Sequence, residues 1–374
     1  MKKRILSLIL ALSMVLSVLP LGAFAADPLR ELVMKDGLPD TANMTATKNP
    51  TNGDDVYIGH NWSYNKNTET LTLYDSSKSY DFSSSQPQIP SATGEQSAPA
   101  VKCAIEIESY VIITGGIFEK EVKNYGTIKN GTFKGGVKND GTISDSTFQN
   151  RYMVTNNATI TRGTFQNGCK VTNNSNISDG TFQNGCDVTN SSTGKISGGI
   201  FTCDVTNNGT IKDNGTFEGS VENKGTNAII ENGTFNGQVE NRGTINNGTF
   251  AANKEVTNYG TINNGTFAGN VKNGDISEKG TIENGTFEDS VINVGTINNG
   301  TFNGEVQNSA QGTISGGAFS STSTVSNYNS GTISGGTFAG SVKNWDTITG
   351  GVFNRNATLT DVPDGYPITV DEAS

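Results

Sequence analysis

From about residue 107 to residue 354 the chain repeats one short phrase. Its plainest form is Thr-Ile-Lys-Asn-Gly-Thr-Phe-Lys-Gly-Gly-Val-Lys-Asn-Asp-Gly, Thr127 to Gly141. Fifteen phenylalanines, from Phe118 to Phe353, mark it at intervals of 15 to 20 residues. Isoleucine stands five residues before each of them, from Ile113 to Ile348, with one slip at Ile211, six before Phe217. Valine follows each of these Phe residues but the last by four or six residues, and two after that valine comes asparagine, fourteen times without exception. Self-similarity at so short a period is the signature of a stacked repeat, and it overrides the two or more globular domains that 374 residues would otherwise suggest.

The phrase divides into three sides of about five residues. Successive side chains of a strand point to opposite faces, so Ile, Phe and Val share the inside while the threonines before Ile and Phe face out. Such a coil has no interior of its own. Its three apolar side chains contribute about 1.5–3 kcal/mol each when buried, against roughly 1–2 kcal/mol of backbone entropy for every residue ordered. Only coils laid on one another share enough burial and hydrogen bonding to stand. The fold class is therefore all-β: a single-stranded parallel β-solenoid of about 15 coils of 15–20 residues, with three short strands per coil. At roughly 4.8 Å per coil the rod is on the order of 70 Å long.

Turns and prolines agree. Gly lies two residues before Phe in fourteen of the fifteen coils, Ser146 being the exception, and the residue before that is Asn, Asp or Gly except at Arg162. Such a pair supplies a positive-φ corner, and a helix carrying it so often would lose about 0.5–1 kcal/mol per glycine. All nine prolines lie at or before Pro99 or at or after Pro363, as expected where backbone N–H groups are committed on both sides. The organisation reads as a signal peptide over 1–25, an N-terminal cap over 26–100 with a Ser/Pro-rich loop at 83–100, solenoid repeats over 101–354, and a closing cap or tail over 355–374. The leader has the basic start Lys2-Lys3-Arg4, an apolar run from Ile5 to Leu21 and small residues Ala23 and Ala25 before Ala26. It predicts export, with no membrane insertion after cleavage.

The asparagine after each valine shares the valine's parity and so points inward at a corner. Asn124, Asn139, Asn241, Asn258, Asn308 and their equivalents predict a ladder in which each buried amide is satisfied by its own copies. Cys169, Cys186 and Cys203 are spaced 17 and 17, each two before a valine, and form an inward column in three successive coils. They read as buried thiols, the alternative being a disulfide between two of them; Cys103 falls outside the column. A straight column converges poorly on a metal, and His60 is the chain's one histidine, so no metal site, cofactor or His-based triad is expected. Asp187 and Asp204 stack but lack an evident facing carboxylate, which leaves a polysaccharide lyase or hydrolase as the minority reading. The net charge of −10, more negative once the leader is removed, argues against nucleic acid.

The slot just after the corner asparagine holds Tyr125, Tyr259, Tyr328 and Trp345, the last two in successive coils. Aromatic faces there suit sugar rings. Over Trp62 to Leu73, Trp-Ser-Tyr-Asn-Lys-Asn-Thr-Glu-Thr-Leu-Thr-Leu, and then at Ala-Ile-Glu-Ile-Glu-Ser and Ile-Thr-Gly-Gly-Ile-Phe, the chain resembles secreted β-helix proteins of Gram-positive gut bacteria that are described as having a carbohydrate-binding domain. The specific part covers roughly residues 58–118. The resemblance implies a secreted or cell-surface bacterial protein with a right-handed parallel β-helix and an affinity for acidic or plant polysaccharide, and it adds Trp62 to the candidate ligand contacts. The functional expectation is a non-catalytic rod that binds extracellular polysaccharide, with an adhesin or passive surface spacer as the alternative.

Overall fold

A computed structural model of the chain describes residues 31–74, 79–82, 100–149, 151–166, 168–353 and 359–360. The predicted leader, nearly all of the Ser/Pro-rich stretch and most of the expected tail lie outside the described residues. Those described contain strands and turns and no helix. Three parallel stacks run the length of the rod, one for each side of the coil. The isoleucine sheet has sixteen strands, from Ser79–Asp81 to Thr347–Ile348, and the phenylalanine sheet sixteen, from Ala100–Val101 to Val352–Phe353. The valine sheet carries the Val-x-Asn strands and ends at Leu359–Thr360, which pairs with Val342 and Lys343. The all-β parallel solenoid is thus present as the repeat dictates.

Inside the rod the register keeps like on like despite the uneven period. Phe182 sits on Phe201 and Phe267 on Phe287, although 19 and 20 residues separate them. Surplus residues go into corners, where nothing must align with the coil below. The slip at Ile211 is absorbed this way: Ile196, Ile211 and Ile230 remain in register, and Asp213 and Asn214 take successive positive φ values of 60° and 57°.

The inside is a bundle of like-on-like columns. Ile, Phe and Val of every coil are buried. From Phe118 to Phe353 each ring lies on the next with centroids 4.3–5.3 Å apart and planes within 19° of parallel. The fourteen asparagines are fully buried and linked by thirteen Nδ2 to Oδ1 hydrogen bonds of 2.7–2.8 Å. Nδ2 also donates to the carbonyl two residues on and to a carbonyl one coil up, as Asn241 does to Gly243 and Thr261. A glycine follows the slot residue in several coils, and at Gly141 the coil beneath requires it, since a Cβ there would lie 2.2 Å from the Gly126 carbonyl oxygen. Ala158, Ser175 and Asp346 take the same place in their coils.

The corner between the isoleucine and phenylalanine sheets is turned in two ways. In the early coils the residue before the glycine takes the left-handed conformation, as at Asn130, Arg162 and Asp179, and Asp145 does so before Ser146. From Gly265 onward the glycine itself does, with φ between 119° and 154°. Arg162, the residue that breaks the sequence rule, holds this position with a bidentate pair to Asp145 in the coil below, at 2.6 and 2.9 Å. That hydrogen bond keeps the Asp145 carboxyl below its ordinary value.

The base of the rod differs from its body. Leu71, Tyr80 and Val101 lie beneath Ile105, Ile113 and Phe118, so residues ahead of the repeats already supply a lowest rung to all three sheets. On the valine side the sheet continues antiparallel through Thr70–Leu73, Trp62–Asn65, Asp55–Ile58 and Thr47–Lys48. This meander covers the edge that a solenoid end would leave open.

Replacing one rung of the ladder should cost more than replacing an outward residue beside it. Asn241→Ala removes the amide between Asn223 and Asn258 and is expected to lower stability by about 1–3 kcal/mol, while outward Thr261→Val stays within about 0.5 kcal/mol. Urea unfolding measures both, and an Asn241→Ala loss no larger than that of Thr261→Val would mean the ladder is not a stabilising element.

Candidate functional site

The corner after each asparagine is built by that asparagine. In the second coil Asn124 Oδ1 accepts from the Gly126 N–H at 3.1 Å and Nδ2 donates back to the Gly126 carbonyl at 3.3 Å. The two bonds clamp a tight turn, and the residue between, Tyr125, is pushed out to solvent. Both bonds recur at Asn139, Asn173, Asn207 and Asn344. Elsewhere Nδ2 closes a longer corner, as Asn190 does to Gly194 and Asn273 to Gly280. The rod thus carries one slot per coil along this edge, buried at Gly274, Val294 and Ser309.

What fills the slots changes along the edge. Asp140, Asn157, Asn174 and Ser191 form a second, external polar ladder, with Asn157 donating to Asp140 and Asn174 to Asn157, both at 2.8 Å. Farther up, the Arg242 guanidinium lies 4.7 Å from the centre of the Tyr259 ring and pairs with Glu240 and Glu278. The Tyr259 hydroxyl is pushed up from its ordinary pKa, first by burial and then by the charge of Asp275. At the top, Tyr328 and Trp345 meet edge to face, with centroids 6.4 Å apart and planes at 78°. Tyr328 Oη donates to Gln307 Oε1 at 3.2 Å, which holds its ring, while Trp345 remains 51% exposed.

Beside this pair lies the outer face of the isoleucine sheet, where Thr332, Ser334, Thr347 and Thr349 present hydroxyls; Ser334 and Thr349 are exposed. Beyond it, at the next corner, runs a shallow open groove of about 690 Å³ floored by Gly316, Gly317, Gly335, Gly336 and Gly351 and bordered by Asn299 and Thr337. The last coils thus combine an aromatic platform, a strip of hydroxyls and exposed backbone. None of this groove follows from the repeat alone; its one sequence signal is the change from Asn-Gly to Gly-Gly after Ser315.

The sequence-derived candidates separate into three groups. Tyr328 and Trp345 are brought together. Tyr125 and Tyr259 share their edge but lie apart: Tyr125 is eight coils below Tyr259 and Tyr259 four below Tyr328. Trp62 is a correction. It is 1% exposed, within the antiparallel meander, and its ring lies so close over Gly59 that a Cβ there would be 2.0 Å away. It offers no face to a ligand. An aromatic that sequence reasoning missed is Tyr110, in the first coil on the same edge: 78% exposed and held at φ 73°, a conformation bulky residues seldom adopt.

The other candidates fall as follows. Asp187 and Asp204 are side by side and exposed, and Asp204 accepts from the Ser220 N–H. Cys169, Cys186 and Cys203 are buried in three successive coils, none in a disulfide. Cys103 corrects the reading that placed it elsewhere: Ile105 pairs with Val122, so Cys103 occupies the same slot four coils below Cys169. Among the described residues no group of three or more His, Cys, Asp and Glu side chains is placed to hold a metal ion. No family model matches the chain, and no curated protein matches it.

The two tryptophans should be separable in solution. Trp62 is expected to give a blue-shifted emission shielded from acrylamide, and Trp345 a red-shifted, quenchable one that Trp345→Phe removes. A Trp345→Phe protein that retains the quenchable component would place Trp62, not Trp345, in solvent.

Proposed function

We propose that this protein is a secreted or cell-surface, non-catalytic rod that binds extracellular polysaccharide along its asparagine edge. The observation that carries the reading is the Tyr328–Trp345 pair, half of the tryptophan open to solvent and its partner anchored to Gln307. Sugar rings present apolar C–H faces ringed by hydroxyls. An indole offers the first a flat apolar surface, and the hydroxyls of Thr332, Ser334, Thr347 and Thr349 offer the second donors and acceptors on strands that cannot shift without dragging their neighbours. A pre-formed surface of this kind loses little conformational freedom on binding.

An extended polymer suits the site better than a small ligand. The glycine-floored groove and the slot edge both run along the rod, so a chain lying parallel to the axis meets equivalent positions at every coil, roughly 4.8 Å apart. Export, read from the leader, puts such a surface where polysaccharide is found. The spacer alternative is supported by the unbroken interior columns, which make a stiff rod, and the two roles are compatible in one molecule.

A glycan array followed by titration of the strongest hit tests the proposal. Trp345→Ala is expected to weaken binding at least tenfold, about 1.4 kcal/mol, Trp345→Phe less, and Tyr125→Ala little. An array without hits, or a Tyr328→Ala plus Trp345→Ala protein that binds as wild type, would leave the spacer reading in its place.

A further inference from the structure

Among the described residues, the cysteine column stacks three thiols in the core in successive coils, and no step of glycan binding uses them. Lys170, Asp187 and Asp204, the residues after the three cysteines, are in register on adjacent strands. Neighbouring strands lie about 4.7–4.9 Å apart, inside the Cα window of roughly 4.4–6.8 Å that a disulfide spans. Two coils, at roughly 9–10 Å, exceed it. Cys186 is the middle member of the column, the one of the three with a cysteine in the coil below and in the coil above. Its thiol donates to the Phe165 carbonyl at 3.4 Å, and it is the most accessible of the three, at 6% against 1% and 4%.

We propose that these residues form a peroxide-responsive modification site, in which Cys186 is oxidised first and then closes a disulfide with the cysteine one coil below or above it, stapling neighbouring coils. Position in the column singles out Cys186. A thiolate formed there lies between two thiols that can each turn an S–H toward it, which holds the Cys186 pKa below the ordinary thiol value, while the same interaction and burial raise those of Cys169 and Cys203. The thiolate is the reactive form. Cys103, with no cysteine in the adjacent coils, is pushed up to about 11 by burial and stays inert.

The chemistry balances with hydrogen peroxide as oxidant. The Cys186 thiolate attacks one peroxide oxygen, the O–O bond breaks, and a sulfenic acid and hydroxide result. That hydroxide takes the proton released from Cys186. The sulfur of Cys169 or Cys203 then attacks the Cys186 sulfur, the S–O bond breaks, and the departing hydroxide leaves as water with the attacking thiol's proton. Two thiols and one peroxide become one disulfide and two waters.

The test is peroxide treatment of the full chain, then alkylation with iodoacetamide under denaturing conditions and peptide mass mapping. Two of the four thiols should become unavailable, in a bridge that always contains Cys186, while Cys103 remains alkylated. Cys169→Ala and Cys203→Ala should each still close the remaining adjacent pair. Cys186→Ala should leave all three remaining thiols alkylatable, and Cys186→Ser gives the same readout should the alanine loosen the corner. A Cys169–Cys203 bridge in either Cys186 variant, oxidation of Cys186 to sulfinic acid without a bridge, or a wild-type chain that keeps four alkylatable thiols would each overturn the proposal.

Discussion

Every part of this molecule answers to one distance, the spacing of about 4.8 Å that backbone hydrogen bonds impose between one coil and the next. At that spacing each side chain has its own equivalents as nearest neighbours, so only groups that tolerate themselves can fill a long column. Isoleucine and valine do so trivially. Phenylalanine does so by laying rings parallel and offset, within the separation aromatic pairs favour. Asparagine does so because an amide carries donor and acceptor on the same three atoms and can be both ends of its own bond. Charges cannot, since like charges directly opposed in a sheet repel. The outer face carries some like pairs, Lys123 on Lys138, Asp187 on Asp204 and Glu222 on Glu240, where water screens them. Opposite charges pair nearby, as Arg162 with Asp145, Lys224 with Glu222 and Arg242 with Glu240.

The same rule explains what could be read from the chain and what could not. A column announces itself, because the residue that must tolerate its own copy recurs on schedule; Phe235 above Phe217 and Asn258 above Asn241 were legible for that reason. Tyr328 beside Trp345 was legible too, through a shared slot in successive coils. Residues used once leave no such trace. Trp62 has no copy to reveal which way it faces, and only the antiparallel meander shows it turned inward. Cys103 was misplaced because Ile105 and Ile107 stand where later coils have valine and asparagine, so the slot could not be counted from its landmarks. The stacking of Arg242 on Tyr259 joins different residue types across two coils, a relation that repetition alone does not encode.

This separates scaffold from surface. Inside, substitution is penalised twice, by the lost burial and by the column interrupted above and below. Outside, the slot after each asparagine is held by backbone and amide alone, and it accepts Tyr, Asp, Asn, Ser, Lys, Arg, Gly, Val and Trp within one chain. A frame that constant lets the edge vary one residue per coil, and the uppermost coils combine an aromatic pair, hydroxyls and bare glycines.

The amide ladder also has a direction. Each Nδ2 reaches toward the coil that comes later in the chain, and each Oδ1 receives from the one that came before. A finished coil therefore holds out a donor to whichever coil is made next, beside three strand edges already spaced to receive it. The first part of the stack to emerge during synthesis is the antiparallel meander, whose contacts are local and need no later sequence. Growth from that seed proceeds one turn at a time on a ready template, so the chain can be wound up in the order in which it is made, without waiting for its end.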